Sequence, residues 1–267
     1  MPGPGSRNNP GAGSSRVHAG MLAHALGELA GPPAQLVVDF WSLAAQDQPL
    51  TPVAQQALLD DNERHRMASL RRPRDAQRYL AAHAGMRLRL AHWLAVENPG
   101  AARLAFSPHG AATRAGAARL RFGANLLGKP DLPDHPGWFF SLSHSDGHAM
   151  LALARTPVGA DLERLLDPAD LSAQLLQYIL APAESRQVAL LPADRQPEAV
   201  TEHWVSKEAV MKACGLGLRL APADVCFDRR LNTVQLDDQR CWPQQQTWHC
   251  RLLPAPAGYR AAIALPA

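Results

Sequence analysis

Cysteine is scarce in this chain and badly placed for a disulfide framework or a zinc site. The four thiols, Cys214, Cys226, Cys241 and Cys250, fall in the last quarter of 267 residues, with no C-x-x-C pair and no histidine spacing that suits zinc. They read as reduced thiols. No apolar run approaches the roughly 20 residues that a membrane helix needs, so no membrane span is expected. The opening run MPGPGSRNNPGAGSSR lacks the continuous apolar core and cleavage pattern of a secretory signal, which makes the cytoplasm the expected location. There is no G-x-S-x-G elbow of the common serine hydrolases and no internal repeat. The net charge of +3 is mild.

What is present suits a soluble globular protein: 46% apolar and 19% charged residues. The length allows one large domain or two ordinary halves. Residues 1–34 are rich in Gly, Pro and Ser, bury too little apolar surface to offset chain entropy, and are expected to be a disordered tail. A β-branched and aromatic strand is expected at Gln35–Ser42 and a helix at Pro52–Ser69. After the break at Pro73, Asp75 can cap a second helix to Leu94, in which Tyr79, Met86, Leu90 and Leu94 keep helical spacing. The Gly, Pro and Ala residues of 98–136 predict loops and brief strands joining two halves. From Gly137, WFFSLSHS, HAMLALAR and VGADLE predict short strands with turns at Asp146-Gly147 and Thr156-Pro157. Helices at Pro168–Ile179 and Glu198–Cys214 and strands at Trp248–Leu253 and Tyr259–Leu265 complete an α+β plan, with an N-terminal half at 35–136 and a C-terminal half at 137–267.

Three segments carry candidate chemistry. In Val158–Glu163, alternation sends Val158, Ala160 and Leu162 to one face of a strand and Asp161 and Glu163 to the other. Two carboxylates on one side suit a magnesium ion that also holds a diphosphate; a strand with charged outer residues has the same pattern. In Trp204–Lys212, steps of four put Trp204, Glu208 and Lys212 on one helix face, where Glu208 and Lys212 make either a surface ion pair or part of a phosphate-handling site. In Phe140–Ser145, alternation puts Ser141, Ser143 and Ser145 opposite Leu142 and His144. Neighbouring Ser143 and His144 point apart, which argues against a nucleophile–base pair and leaves a phosphate-binding strand end. The loop Gly128-Lys129-Pro130 offers a cation on a fixed backbone.

In this order, GKP (128–130), FSLSHS (140–145), VGADLE (158–163) and WVSKEAVMKACGLGL (204–218) resemble the G-K-P, F-N-[IL]-S-H-S, [VI]-G-x-D-x-E and W-x-x-K-E-x-x-x-K-x-x-G-x-G-L blocks of the 4'-phosphopantetheinyl transferase superfamily, of the monomeric two-half kind typified by the surfactin synthetase activator. The terminal GYRAAIAL is similar to that family's last strand. The likeness covers Gln35–Ala264, more firmly in the second half. It implies two similar α+β halves related by a pseudo-twofold axis, a monomer, and transfer of the phosphopantetheine arm of coenzyme A to a serine of an apo acyl or peptidyl carrier protein. It implies magnesium on Asp161, Glu163 and Glu208, with Lys212 on the coenzyme A diphosphate and Glu208 also helping to deprotonate the carrier serine. By the same resemblance Ser143 and His144 lie near the coenzyme A phosphates, His144 at the 3'-phosphate. Lys129 and Pro130 lie beside the adenine, and Arg66 and Arg78 are first-half 3'-phosphate contacts. The chain departs from the pattern at Leu162, where some relatives carry a third carboxylate, at Ser141 in place of Asn, and at the acidic Glu63.

A magnesium-dependent phosphohydrolase acting on a diphosphate would use the same acids on water. A nucleic-acid-binding protein would use the arginine run 64–89, but would leave Asp161, Glu163 and Glu208 without a role, so neither nucleic acid nor membrane is expected as a partner. The segment Leu171–Ile179 is a candidate carrier contact, or else an amphipathic helix packed on the core.

Overall fold

The computed structural model describes residues 36–95, 110–125, 128–228, 233–235 and 247–267; the expected N-terminal tail and Cys241 lie outside them. The chain opens with strand β1 (Val37–Ser42), followed by helices α1 (Pro52–Gln56), α2 (Asp61–Ala68) and α3 (Pro73–Leu94). The single helix expected over Pro52–Ser69 is two. Leu58 and Leu59 turn into the core, and Asp60 then caps α2: its carboxylate accepts from Glu63 N at 2.9 Å while Glu63 returns the contact to Asp60 N at 3.1 Å. Helix α3 starts on Pro73 and turns Leu80, Ala84 and Leu88 to these helices and Ala82, Met86 and Leu90 to the first sheet.

Helix α4 (Ala111–Arg119) stands inside the stretch expected to be loops, and the short pair β2 (Gly123–Ala124) and β3 (Pro130–Asp131) follows it. Strands β4 (Phe139–Ser145) and β5 (His148–Ala154) form a hairpin whose turn carries Asp146 at φ 46°. Next come β6 (Gly159–Arg164), α5 (Ala173–Ile179), α6 (Pro182–Ala189), α7 (Gln196–Cys214), the short β7 (Cys226–Asp228) and β8 (Thr233–Gln235), then β9 (Thr247–Leu253) and β10 (Tyr259–Pro266). Residues 168–170 form a 3₁₀ turn ahead of α5, so the helix expected from Pro168 begins later, capped by Ser172.

The result is α+β with two antiparallel sheets, ordered β1-β5-β4 and β6-β10-β9-β8-β7. The hairpin β4–β5 pairs with β1, so the chain passes from the first sheet to the second at 155–158. The cause is visible in β5, which is buried on both faces: Ala149, Leu151 and Leu153 meet α3, whereas Met150, Ala152 and Ala154 meet β6 and β10. On the outer side of the second sheet Val205, Ala209, Val210 and Ala213 of α7 pack with Trp248, Cys250, Ala262 and Ala264.

Helix α7 ends on Gly215, left-handed at φ 80°. It lies on β6 at main-chain distance: a Cβ built on Gly159 would stand 1.8 Å from Ala209 O and 2.4 Å from Ala213 N. Neither is a side-chain end that can swing away. Gly159→Ala is therefore expected to abolish cooperative folding or to destabilise by about 3 kcal/mol, read as a lower urea midpoint; an unchanged midpoint would show that β6 and α7 can separate freely.

Candidate functional site

Strand β4 closes one edge of the first sheet and β6 one edge of the second, and side chains rather than a main-chain ladder join them. The three alternate serines of β4 make the seam. Ala160 N donates to Ser141 Oγ at 3.0 Å, Ser143 Oγ donates to Asp161 Oδ1 at 2.8 Å, and Ser145 Oγ donates to Glu163 Oε2 at 2.5 Å while accepting from Arg164 N at 3.2 Å. A serine hydroxyl gives one proton and accepts others, which lets this strand hold both the backbone and the carboxylates of its neighbour.

From the other side α7 presents Trp204, Glu208 and Lys212, as the four-residue spacing predicts. Lys212 Nζ donates to Asp161 Oδ1 at 2.5 Å and to Ser143 Oγ at 3.0 Å, and the indole of Trp204 hydrogen-bonds Glu163. Asp161 is buried with one oxygen thus occupied; its Oδ2 and the Oε1 of Glu208 are buried and have no hydrogen-bond partner among the described residues. Such oxygens are costly unless something else meets them.

The charges register on one another. Burial, then the charge of Asp161, pushes the Glu163 carboxyl up to about 7. Burial also raises Glu208; Lys212 acts against that rise and Asp161 adds to it. Burial works against the charge of Lys212, but Asp161, Glu208 and Glu163 outweigh it and hold the ammonium above its usual value. No three His, Cys, Asp or Glu side chains among the described residues already converge as a metal cage. The donor set nevertheless fits a hard divalent cation: oxygens only, two of them buried without a donor, and a third carboxylate that gives up its proton near neutrality.

His144 lies on the opposite face of β4. Its residue surface is exposed, yet crowding of its ring, then the charges of His83, Lys212 and Arg78, push it down to about 4. Arg78 reaches the hairpin tip and pairs there with Asp146, which Arg74 also approaches at 3.4 Å. Arg66 is exposed on α2, and its charge is felt at Tyr79, which stacks on His83 at 3.8 Å. The structure thus gathers Ser143, Asp161, Glu163, Glu208 and Lys212, sets His144 and Arg78 beside them, and leaves Arg66 at the outer margin.

Lys129 sits differently from a free loop cation. Its Nζ donates to Val158 O at 2.8 Å and Ala213 O at 3.1 Å, and burial, opposed by the nearby Cys214, pushes it down to about 8. With Pro130, Leu132, Trp138 and Phe140 it lines a cavity of about 390 Å³.

Several residues that matter here carry no motif signal of their own. Ser145, assigned no role by the sequence, holds Glu163. Glu63 accepts from Arg87 Nε at 2.6 Å and contacts His83 Nδ1 at 2.9 Å, so its acidity serves the buried Arg87. Lys207, next to Glu208, points away from the site and donates to Glu184 Oε2 at 2.5 Å, Ile179 O at 2.7 Å and Pro222 O at 3.0 Å. The helical spacing that turns Glu208 to β6 could have placed Lys207 on another face; its buried acid partner, 23 residues upstream, could not be found by spacing. The arginine run is no continuous basic surface: Arg87 is buried, Arg89 is half-buried, and Arg64, Arg74 and Arg78 face Asp61 or Asp146.

Comparison with known proteins agrees with this geometry. Residues 157–264 match the 4'-phosphopantetheinyl transferase superfamily. A putative 4'-phosphopantetheinyl transferase of Synechocystis is 29% identical over 196 residues, 72% of this chain and 71% of that protein. The 4'-phosphopantetheinyl transferase Sfp of Bacillus subtilis is 30% identical over 113 residues, 42% of this chain and 48% of its own length. A 4'-phosphopantetheinyl transferase of Bacillus pumilus is 33% identical over 91 residues, 34% and 38% of the two chains. The matches thus span less than half of these Bacillus relatives.

A carboxyl raised by folding makes the folded state bind the extra proton, so its contribution is full below the unfolded value of 4.5 and is lost as pH rises through about 7. In metal-free buffer, Glu163→Gln is expected to flatten the pH dependence of stability between these values and to be more stable than the parent at pH above 7. Urea titrations on both sides of that window check it; parallel pH profiles for the two proteins would refute the raised carboxyl.

Proposed function

We propose, from the match of residues 157–264 to the 4'-phosphopantetheinyl transferase superfamily and the likeness to its Synechocystis and Bacillus relatives, that the chain moves the phosphopantetheine arm of coenzyme A onto a serine of an apo acyl or peptidyl carrier protein. The observation that carries this reading is the meeting of Lys212 with Asp161 and Ser143 beside two buried carboxylate oxygens that lack donors. A fixed cation can meet a phosphate-sized anion, and acids that keep unfilled acceptors can meet the divalent cation that comes with it.

In the reaction the carrier serine oxygen bonds to the β-phosphorus of coenzyme A, the bond from that phosphorus to the bridging oxygen breaks, and 3',5'-ADP leaves. Glu208, with its free buried Oε1 and its raised affinity for a proton, takes the proton of the serine hydroxyl. Lys212 leaves its position on Asp161 for the diphosphate oxygens and offsets the charge that grows there. Ser143 and Ser145 keep Asp161 and Glu163 turned toward the same space. Asp161, Glu163 and Glu208 are the residues that would hold magnesium, which supplies Lewis-acid stabilisation of the phosphoryl oxygens when bound. Arg78, now paired with Asp146, and the neutral imidazole of His144 suit the 3'-phosphate, with Arg66 further out. The cavity beside Lys129 and Pro130 suits the adenine.

The partner must bring an acidic surface and a reachable serine. Of the segment Leu171–Ile179, Ile179 is buried and Leu171, Leu175 and Leu176 pack against the same cluster. Tyr178, 48% exposed and resting on Trp204, is its outward apolar group. A monomer working in the cytoplasm is part of this reading; no described helix is long and apolar enough to cross a membrane.

Intact-protein mass spectrometry of an apo-carrier incubated with this protein, coenzyme A and magnesium should show the gain of one phosphopantetheine arm, prevented by EDTA. Glu208→Gln should lower kcat by about 10²-fold or more with an unchanged fold by circular dichroism. Phosphopantetheine released into solution without carrier modification would favour a phosphohydrolase, and normal turnover by Glu208→Gln would remove that residue as the base.

A further inference from the structure

We propose that Lys129 is a positioning residue: its ammonium locks the last turn of α7 to the start of β6, so that Lys212 and Glu208 meet Asp161 in the right register. This departs from a direct substrate contact, the role the resemblance suggests, and it rests on the transferase reading above.

The acceptors single out the joint. Val158 directly precedes Gly159, where β6 and α7 touch through their main chains, and Ala213 directly follows Lys212. Carbonyls in the last turn of a helix have no intrahelical N–H to accept from, and a cation there also meets the negative end of the helix dipole. One ammonium therefore satisfies the end of the helix that carries Lys212 and the approach to the strand that carries Asp161. The segment it ties down, 155–158, is also where the chain passes from one sheet to the other.

The described residues on either side of Lys129 hold it in place. Lys129 N donates to Asn125 Oδ1 at 2.9 Å, Asn125 N donates to Lys129 O at 2.9 Å, Gly128 takes φ 87° and Pro130 follows. The clamp thus has a rigid base in the first half and two anchors in the second.

Residue choice points the same way. Of the 27 Lys and Arg residues only three are lysines, Lys129, Lys207 and Lys212. Lys207 and Lys212 both end on a carboxylate and a further oxygen from another element. An ammonium directs three donors around one point, whereas a guanidinium needs a planar space. In a chain that otherwise uses arginine, lysine stands where a small cation must gather acceptors from separate elements. Two donors of Lys129 are spent on carbonyls that no substrate replaces.

Lys129→Met keeps the stem and removes the donors. With apo-carrier saturating and magnesium present, kcat per folded molecule is expected to fall about tenfold or more, while KM for coenzyme A and its calorimetric Kd stay within about twofold, as expected when only transition-state geometry is lost. A rise in KM and Kd with kcat unchanged would make Lys129 a substrate contact and overturn the proposal. So would unchanged kinetics accompanied only by a lower urea midpoint, the mark of a purely structural group. If Lys129→Met does not fold, Lys129→Gln, which keeps amide donors on a shorter stem, is measured in the same way and should lower kcat with KM and Kd unchanged; a rise in KM and Kd alone, or unchanged kinetics, would overturn the proposal. Absence of transfer by the parent protein would strike the transferase reading itself and is seen in that control before any variant is compared.

Discussion

The close approach of β6 and α7 at Gly159 is the constraint on which the rest of the site depends. Only a residue without Cβ lets a strand backbone lie against Ala209 O and Ala213 N. That contact fixes where the helix stands over the strand, and with it which side chains of a four-residue stripe meet which side chains of a two-residue alternation. Lys212 reaches Asp161 because both follow from the same joint. Other contacts then hold the helix: Lys207 ties its outer side to Ile179, Glu184 and Pro222, Glu184 in turn accepts from Phe227 N, and the ammonium of Lys129 closes the end.

The second element of the design is a seam between two sheets that is polar where it could have been a ladder. Had β4 and β6 paired through their main chains, the sheets would have merged and the carboxylates would have faced a covered surface. Serine hydroxyls instead span the gap and leave the acids partly unsatisfied. The same seam places the β4–β5 turn between the halves: Arg78 holds Asp146 from α3, while Tyr259 Oη accepts from Gly147 N at 3.0 Å from β10. His144 is carried on a strand whose tip is held from both sides.

Much of this was legible in the sequence where the pattern is local. Alternation placed Ser141, Ser143 and Ser145 on one side and Asp161 with Glu163 on another, and the i, i+4 stripe grouped Trp204, Glu208 and Lys212. These are periodicities of single elements, and the order of the four motif blocks pointed to the same family that residues 157–264 match. What escaped were relations between elements. The pairing of β5 with β1 is one, because a contact over a hundred residues leaves no mark in a local window. Helix α4 was hidden by Ala, Gly and Arg residues with a single buried apolar position, Ala117. Helix α6 did carry a signal, Pro182 at its start and Glu184 accepting from Ala181 N at 2.8 Å, in the pattern of a first-turn cap. Lys129 was recognised as a cation, but its partners lie 29 and 84 residues away.

The site also shows what the fold gives up for its chemistry. A core arranged for stability alone would not bury Asp161, Glu163 and Glu208 so close together that burial and mutual repulsion raise two of them, nor leave two oxygens without donors. Lys212 offsets only part of that charge, since one ammonium faces three acids. The remainder is a standing preference for added positive charge at the acids, while on the opposite face of β4 burial and the charges of His83, Lys212 and Arg78 keep His144 from taking up a proton. A divalent cation brought in with a phosphate-bearing substrate, as in the proposed reaction, would answer that preference.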